Sequence, residues 1–371
     1  MKRLGLLVIA CALAAGVAVG QTATGTTDVA VKAGRALDVR TGKYLVNQVI
    51  WIHDGRIQSM GDAAEMQTKI PAGARAIDLS QMTVLPGLID CHTHLTDSPY
   101  LLGPAGLHTS IPRMALLGAR NARVTLEAGF TTVRNVGADG YSDIALRDAI
   151  NAGDVPGPRI LASGPPLSIT GGHGDENFLA PQYHYSSEGV VDGPDAAIHR
   201  VRENIKFGAD VIKVIATGGV LSEGDNPQFA QLSPEELRAA VETAHGLGRK
   251  VAAHAHGALG IKNAVLAGVD SIEHGSYINE EDIQLMKQHG TYLVPTLETR
   301  ECVNASNYPQ EFVAKANQVL AAQLANFRKA VEAGVKIAFG TDIGVCPFGK
   351  NGREFNLMVQ NGMTPMQAIQ S

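Results

Sequence analysis

Two histidines, His92 and His94, close the stretch Pro86-Gly-Leu-Ile-Asp-Cys-His92-Thr-His94, behind apolar residues able to form a short buried strand (Val84, Leu85, Leu88, Ile89). In an extended backbone residues i and i+2 point the same way, so both imidazoles can reach one point in space. That geometry can hold a metal ion. A His-x-His pair alone is weak, because exposed histidine pairs are common. Here the chain adds Lys213, His254, His256, His274 and Asp342, each at the end of an apolar run or within one.

Lys213 lies in Asp210-Val-Ile-Lys-Val-Ile-Ala-Thr-Gly-Gly219, among β-branched residues where an unpaired ammonium is costly. Three states relieve that cost: an ion-paired or solvent-facing lysine, a Schiff base, or a carbamate formed with CO2. Neighbouring histidines and an aspartate fit Schiff-base chemistry poorly, whereas a carbamate is a carboxylate able to bridge two metal ions. His254 and His256, in Ala252-Ala-His-Ala-His-Gly257, share strand parity, so parity does not choose between them. We prefer His254 as the ligand and His256 as a substrate contact or supporting group. In Ser271-Ile-Glu-His-Gly275, His274 supplies another imidazole and Glu273, of opposite parity, reads as structural. Asp342 follows Ala338-Phe-Gly-Thr341.

Four imidazoles, a carbamate and an aspartate suit two borderline divalent ions, zinc first, with manganese and cobalt able to use the same ligands. The expected division is His92, His94 and Asp342 on one ion, His254 and His274 on the other, and carboxylated Lys213 between them. Two ions sharing a hydroxide can direct it at a carbonyl that they also polarise. Asp342 would then carry the proton to the leaving nitrogen.

The elements that must position these residues are legible. From Asp28 to Leu85 hydrophobicity alternates, and Asp54-Gly55 between Val46–His53 and Arg56–Met60 is a strong hairpin signal. Residues 21–85 are therefore expected to form a small, incomplete β module. After His94 a short strand followed by a helical pattern repeats. Strands are expected ending at His92 and over Phe130–Val136, Arg159–Ser163, Val211–Ile215, Lys250–Ala255, Ser271–His274, Thr291–Leu297 and Lys336–Thr341. Helices are expected over Met114–Ala128, Pro194–Phe207, Pro234–Leu247 and Phe312–Ala333, with Ser233-Pro234-Glu235-Glu236 a well-formed helix start. Eight such units favour a closed parallel (β/α)8 barrel over an open sheet, and place every candidate ligand at the carboxyl ends of strands. The barrel is expected over 86–371 and truncated in its last helix, since Thr364-Pro365 begins a helix that the chain does not finish.

With 371 residues and 45% hydrophobic content the chain can bury a large core. Its formal charge of −5, with no basic run after the leader, argues against a nucleic-acid partner and leaves a small molecule or short peptide. Lys2 and Arg3 before apolar Leu4–Val19 read as a signal peptide over 1–20, hence an exported protein, periplasmic or secreted. Val8-Ile-Ala-Cys11 loosely suits lipid attachment at Cys11. No other segment reaches the roughly 18 apolar residues of a membrane span. Cys91, Cys302 and Cys346, odd in number and widely spaced, read as no disulfide framework.

In its ordered motifs the chain resembles the amidohydrolase superfamily of metal-dependent hydrolases. Within it, the chain is similar to the exported branch of Xaa-Pro dipeptidases and ochratoxin-hydrolysing amidohydrolases, which is related to imidazolonepropionases. The family's first-strand motif matches His92 and His94, its bridging lysine Lys213, its fifth- and sixth-strand histidines His254 and His274, and its eighth-strand aspartate Asp342. The resemblance implies hydrolysis of an amide in small peptide-like substrates: Xaa-Pro or other dipeptides, N-acyl amino acids, ochratoxin-like amides. The branch places a substrate-binding histidine in the loop matched by Ile169-Thr170-Gly-Gly-His173-Gly-Asp175, so His173 is its counterpart. Family members often form homo-oligomers, and usually complete the amino-terminal module with carboxyl-terminal strands that this sequence lacks.

Other substrate contacts are expected in the loop after His94, which offers Tyr100 and His108, and in the loop Ser222 to Phe229. Gly218-Gly219 reads as room for substrate beside Lys213. Two further functions fit part of the pattern. A cyclic-amide hydrolase or deaminase resembling imidazolonepropionase is one, although a deaminase often uses one metal and does not need Lys213. A non-catalytic envelope binding protein is the other, and it leaves the intact ligand set without a purpose.

Overall fold

The computed structural model describes residues 28–101, 103–305 and 308–371. The expected leader over 1–20, with Cys11, lies outside them. The chain divides into two compact units, one running up to Asp38 and including Lys43–Val84, the other made of Val39–Gly42 and Leu85–Ser371.

The first unit is a four-stranded sheet of β1 (Asp28–Asp38), β2 (Lys43–His53), β3 (Arg56–Asp62) and β4 (Arg75–Val84), with a one-turn helix α1 (Ala63–Met66). The strand order is β3-β2-β1-β4, with β1 antiparallel to β2 and parallel to β4. The hairpin expected at Asp54-Gly55 joins β2 to β3, and both residues take left-handed φ angles of 46° and 73°. Such a turn matches the strands' own twist, which is why an Asp-Gly pair serves there.

The second unit begins with β5 (Leu88–Thr93), β6 (Phe130–Asn135) and β7 (Arg159–Ala162), a parallel three-stranded sheet. A parallel four-stranded sheet follows, β8 (Val211–Ile215), β9 (Lys250–Ala255), β10 (Ser271–His274) and β11 (Tyr292–Val294). Between and after the strands come α2 (Ile111–Glu127), α3 (Ser142–Ala152), α4 (Pro194–Lys206), α5 (Pro234–Gly246), α6 (Ala258–Ala267), α7 (Glu280–His289), α8 (Thr299–Ala305), α9 (Gln310–Glu332), α10 (Arg353–Gln360) and α11 (Pro365–Gln370). Both joints between the sheets are closed. Leu167, beyond β7, donates to and accepts from β8, as Leu167 N to Lys213 O and Ile215 N to Leu167 O, each 2.8 Å. On the other side Ile337 bridges Leu293 and Ile343 bridges Thr93. The result is the (β/α)8 barrel.

The eighth expected strand, Lys336–Thr341, is not regular. Its backbone bonds are split between Leu293 on one side and Cys91 and His92 on the other, which closes the barrel without a continuous ladder. The seventh is shorter than expected, because Thr296 turns to a left-handed φ of 47° beyond β11. All five residues of β8 are buried, as a parallel strand covered on both faces should be. Ser233 caps α5 and forms a reciprocal capping box with Glu236.

The cysteine expectation is corrected: Cys302, in α8, is disulfide-bonded to Cys346, and Cys91 is free. The partners are 44 positions apart and are brought together only by tertiary packing, so spacing held no sign of them. No described helix is long and apolar enough to cross a membrane.

Candidate metal centre

At the carboxyl end of β5, His92 and His94 converge with Asp342. His94 Nε2 lies 3.2 Å and His92 Nε2 3.5 Å from Asp342 Oδ1. Asp342 is held at this point by its own backbone, whose N–H donates to His92 O at 2.7 Å. It adopts a left-handed φ of 60°, and His274, on the facing strand, one of 72°. Non-glycine residues in that region are strained and cluster at functional sites.

His254, His256 and His274 form a second group. Each of the two triads has one donor atom per residue, all within 4.8 Å of one another. His92 and His274 bring the triads together, with ring centroids 5.0 Å apart. Lys213 opens onto the same cavity of about 270 Å³ as all six residues. It is 3% exposed, and among the described residues its ammonium has no hydrogen bond or ion pair. Burial pulls its pKa down to about 8 against the pull of Glu273 and Asp342.

The electrostatics make these groups ready donors. Burial holds His92 down to about 4 and His256 to about 3, and puts His254 and His274 well below the ordinary imidazole value. Neutral rings keep a lone pair for a metal. Burial would raise Asp342, but His92 and His94 outweigh it and keep the carboxylate ionised. At His94 burial pulls down as it does at the other rings, but the hydrogen bond and charge of Asp342 outweigh it and raise the ring's pKa. Two triads of imidazole and carboxylate donors flanking a buried lysine fit a pair of divalent cations with nitrogen and oxygen preference.

Supporting groups fix the orientation of the candidate ligands. His92 Nδ1 meets Glu273 Oε2 at 2.7 Å, and Glu273 Oε1 accepts from Arg134 Nη2 at 2.8 Å and Ser271 Oγ at 2.6 Å. His274 Nδ1 lies 2.7 Å from Thr296 Oγ1, and His256 Nδ1 2.7 Å from Ser276 Oγ. Asp90 accepts from the His92 and Thr341 amides, Thr341 Oγ1 and Asn351 Nδ2, tying β5 to the segment that carries Asp342. Arg134, Thr296, Asn351 and the pairing of Glu273 with His92 were not legible in the sequence, because each bond crosses between distant β/α units.

Of the expected substrate contacts, His173 and His256 line the cavity. The His173 ring stacks on His254 with centroids 4.4 Å apart. Tyr100 does not line it and is 83% exposed; it lies just past Ser98-Pro99, where Leu101 N bonds back to Ser98 O in a turn at the surface. The same loop contributes Asp97 instead, whose carboxyl burial pushes up to about 6. The reading of Gly218-Gly219 as substrate room is also corrected. A Cβ on Gly219 would stand 2.2 Å from the His173 ring, and one on Gly218 2.3 Å from Asn226 O, so the glycines make room for protein. Apolar residues of the loop after β8 (Val220, Leu221), of α8 (Val303) and of α9 (Ala316, Val319) complete the wall. Their helical spacing in α9 reads as ordinary core, interrupted on the buried face by two polar residues, Lys315 and Gln323, the latter donating to Pro295 O.

Residues 83–371 match the amidohydrolase family. The ochratoxinase of Aspergillus niger is 37% identical over 354 residues, 89% of this chain and 72% of that protein. Its crystal structure superposes with a TM-score of 0.83 at 34% identity, covering 93% of this chain and 83% of that one. A Xaa-Pro dipeptidase with methionine bound in its active site gives a TM-score of 0.86 at 40% identity, covering 93% and 86%. A prolidase complexed with N-methylphosphonate-L-proline gives 0.81 at 33%, covering 92% and 85%.

Proposed function

The chain belongs to the amidohydrolase family of hydrolytic enzymes, and from that premise we propose that it hydrolyses the amide bond of small peptide-like substrates at a binuclear metal centre. The substrate class is dipeptides, Xaa-Pro included, and N-acyl amino acids, with amides such as ochratoxin among them. The observation that carries this reading is the pair of donor triads opening, with buried Lys213, onto one cavity.

His92, His94 and Asp342 would hold one ion, His254 and His274 the other. Lys213, as the carbamate formed when its neutral amine adds to CO2 and loses a proton, would contact both. When bound, two zinc ions supply Lewis acidity, which polarises a carbonyl and acidifies a water. The chain's own residues do the rest. Asp342 Oδ1, kept ionised by the two histidines beside it, takes the proton of the attacking water and returns it to the leaving nitrogen. His173 and His256 meet the polar part of the substrate, while Val303, Val319 and Leu221 cover its apolar part and keep out bulk water. The Cys302–Cys346 disulfide supports export to an oxidising compartment.

The test is metal content by elemental analysis, paired with a hydrolysis screen of N-acyl amino acids and dipeptides that starts with acyl-phenylalanine and Xaa-Pro compounds. Two equivalents of zinc, and turnover lost on chelation and restored by zinc, are expected. A single equivalent at full activity, or metal-loaded protein inert across the whole panel, would overturn the reading.

A further inference from the structure

A third group of donors lies where α8 meets the loop beyond Asp342. Glu298, Cys302 and Cys346 each present one donor atom, a carboxylate oxygen and two sulfurs, all within 4.8 Å of one another. None of the three lines the cavity and none belongs to either triad. Glu298 is fully buried, and among the described residues neither of its carboxylate oxygens has a hydrogen-bond partner. Both cysteines are buried as well, with Ile343 and Phe348 packed against them.

The backbone places the carboxylate there. The Leu297 and Glu298 amides donate to Glu354 Oε1 and Oε2, each at 2.8 Å, which pins the chain just ahead of α8. The Glu301 amide donates to Glu298 O at 3.0 Å, and Glu298 and Cys302, four positions apart across this first turn, share a face. Cys346 approaches from the other side, its Sγ 3.7 Å from Glu298 O. With the disulfide closed, both sulfurs are spent on each other and Glu298 has no cation to serve. A buried polar group left without a partner is costly, and an ion or another chemical state of its neighbours can satisfy it. Opened, the same side chains offer two thiolates and two carboxylate oxygens, the four donors of a closed zinc site. Zinc–sulfur bonds of about 2.3 Å and zinc–oxygen bonds of about 2.0–2.2 Å set such donors some 3–4 Å apart, which the 4.8 Å spread accommodates. Of the three negative charges a divalent ion cancels two, and Arg353, with Nε 3.9 Å from Glu298 Oε1, faces the third.

We propose that Cys302, Cys346 and Glu298 bind one thiophilic divalent cation, zinc first, when their disulfide is reduced, at a site that shares no residue with the candidate metal centre. The chemistry balances in two steps. A dithiol gives two electrons and two protons to the disulfide, leaving two protein thiols and the reductant's own cyclic disulfide. The ion then displaces both thiol protons to solvent and takes up two thiolates and the Glu298 carboxylate. Soft thiolates select zinc over magnesium or calcium. Disulfide and metal exclude one another, since each sulfur bonds either its partner or the ion. Either state ties α8 to the loop after Asp342 and so holds Val303 and Val345 in the cavity wall. The site stands whatever the cavity hydrolyses.

The test compares the full-length protein in its oxidised form with the same protein purified throughout under a phosphine. That reductant ends as its oxide, with water supplying the oxygen and the two protons, and it has no sulfur to compete for metal. Thiol titration after unfolding confirms that reduction adds two free thiols. Elemental analysis after equilibration with zinc should then give one more equivalent for the reduced form, a difference in which the metals of the other centre cancel. Cobalt in place of zinc should give a sulfur-to-cobalt charge-transfer absorption in the reduced form alone, which nitrogen and oxygen ligands do not produce. Both signals should vanish in the double variant Cys302→Ser, Cys346→Ser, which keeps Cys91, and zinc should bind the extra site at least about tenfold more weakly in Glu298→Gln. Equal zinc in the two forms despite two added thiols overturns the proposal, as does a disulfide that stays closed under the phosphine in the folded protein; neither result needs a variant to fold. An absorption that survives in the double variant assigns the ion to Cys91 and overturns it too, and wild-type affinity in Glu298→Gln overturns the part given to the carboxylate.

Discussion

Glu273 Oε2 sits 2.7 Å from His92 Nδ1, both side chains buried, across 181 positions of sequence. Burial alone would raise the Glu273 carboxyl, but Arg134 and His92 reverse the effect and bring it down to about 2. As a permanent acceptor it obliges Nδ1 to donate, and so turns the lone pair of His92 Nε2 toward Asp342. A carboxylate behind a ligating histidine raises the ligand's basicity and fixes its ring.

Replacing Glu273 with Gln should therefore weaken the proposed centre without touching a candidate ligand. The amide can accept from His92 or face Arg134 and Ser271 with its oxygen, but not both. Metal affinity is expected to drop about 10–100-fold. Titration with zinc under a competing chelator measures it, and an affinity equal to wild type would show that Glu273 does not orient the ligand.

Lys213→Ala should cost at least about 100-fold in amide hydrolysis, above the range for supporting residues. If Lys213 carries the proposed carbamate, the distinctive consequence is chemical rescue, since a small carboxylate such as acetate can occupy the space left by the side chain and restore part of the rate. Both metals bound, with no response to acetate, would rule out the bridging role.

The candidate ligands were legible because their signal is local: a polar residue that interrupts or ends an apolar β-branched run, repeated in one β/α unit after another. Val211–Ile215, Lys250–Ala255 and Ser271–His274 have the bounds that this pattern sets. What remained hidden is held by contacts between units. Arg134 meets Glu273 across 139 positions, and His173 meets Ser222 across 49. Tyr100 failed for the related reason that a loop's sequence names its polar residues but not the direction in which its turn aims them.

The Cys302–Cys346 bond joins α8, which supplies Val303 to the cavity, to the loop that leaves Asp342 through Val345. Val303, Ala316 and Val345 pack as one cluster beside it. Replacing both cysteines with serine should lower stability by about 2–4 kcal/mol and reduce kcat/KM, as that wall loosens. Thermal unfolding of the double variant, with and without a dithiol reductant, checks the assignment. A melting temperature indifferent both to the substitutions and to the reductant would mean that the bond contributes nothing.

Glu298 gives the sharpest pH test. Its carboxylate is fully buried beside that disulfide and neither oxygen has a hydrogen-bond partner. Burial raises its pKa from 4.5 to about 7, with Arg353 pulling weakly the other way. A carboxyl that holds its proton more tightly folded than unfolded makes the folded state bind more protons between those two values, so stability falls as pH rises from about 4.5 to about 7 and stays reduced above. Glu298→Gln removes the charge that carries this cost. The variant should therefore melt a few degrees above wild type at pH 8, and the gap should close as the pH is lowered toward 5, where the wild-type side chain is already neutral. Melting curves of both proteins at a series of pH values decide it; a gap that is constant with pH would mean that Glu298 does not titrate in this range.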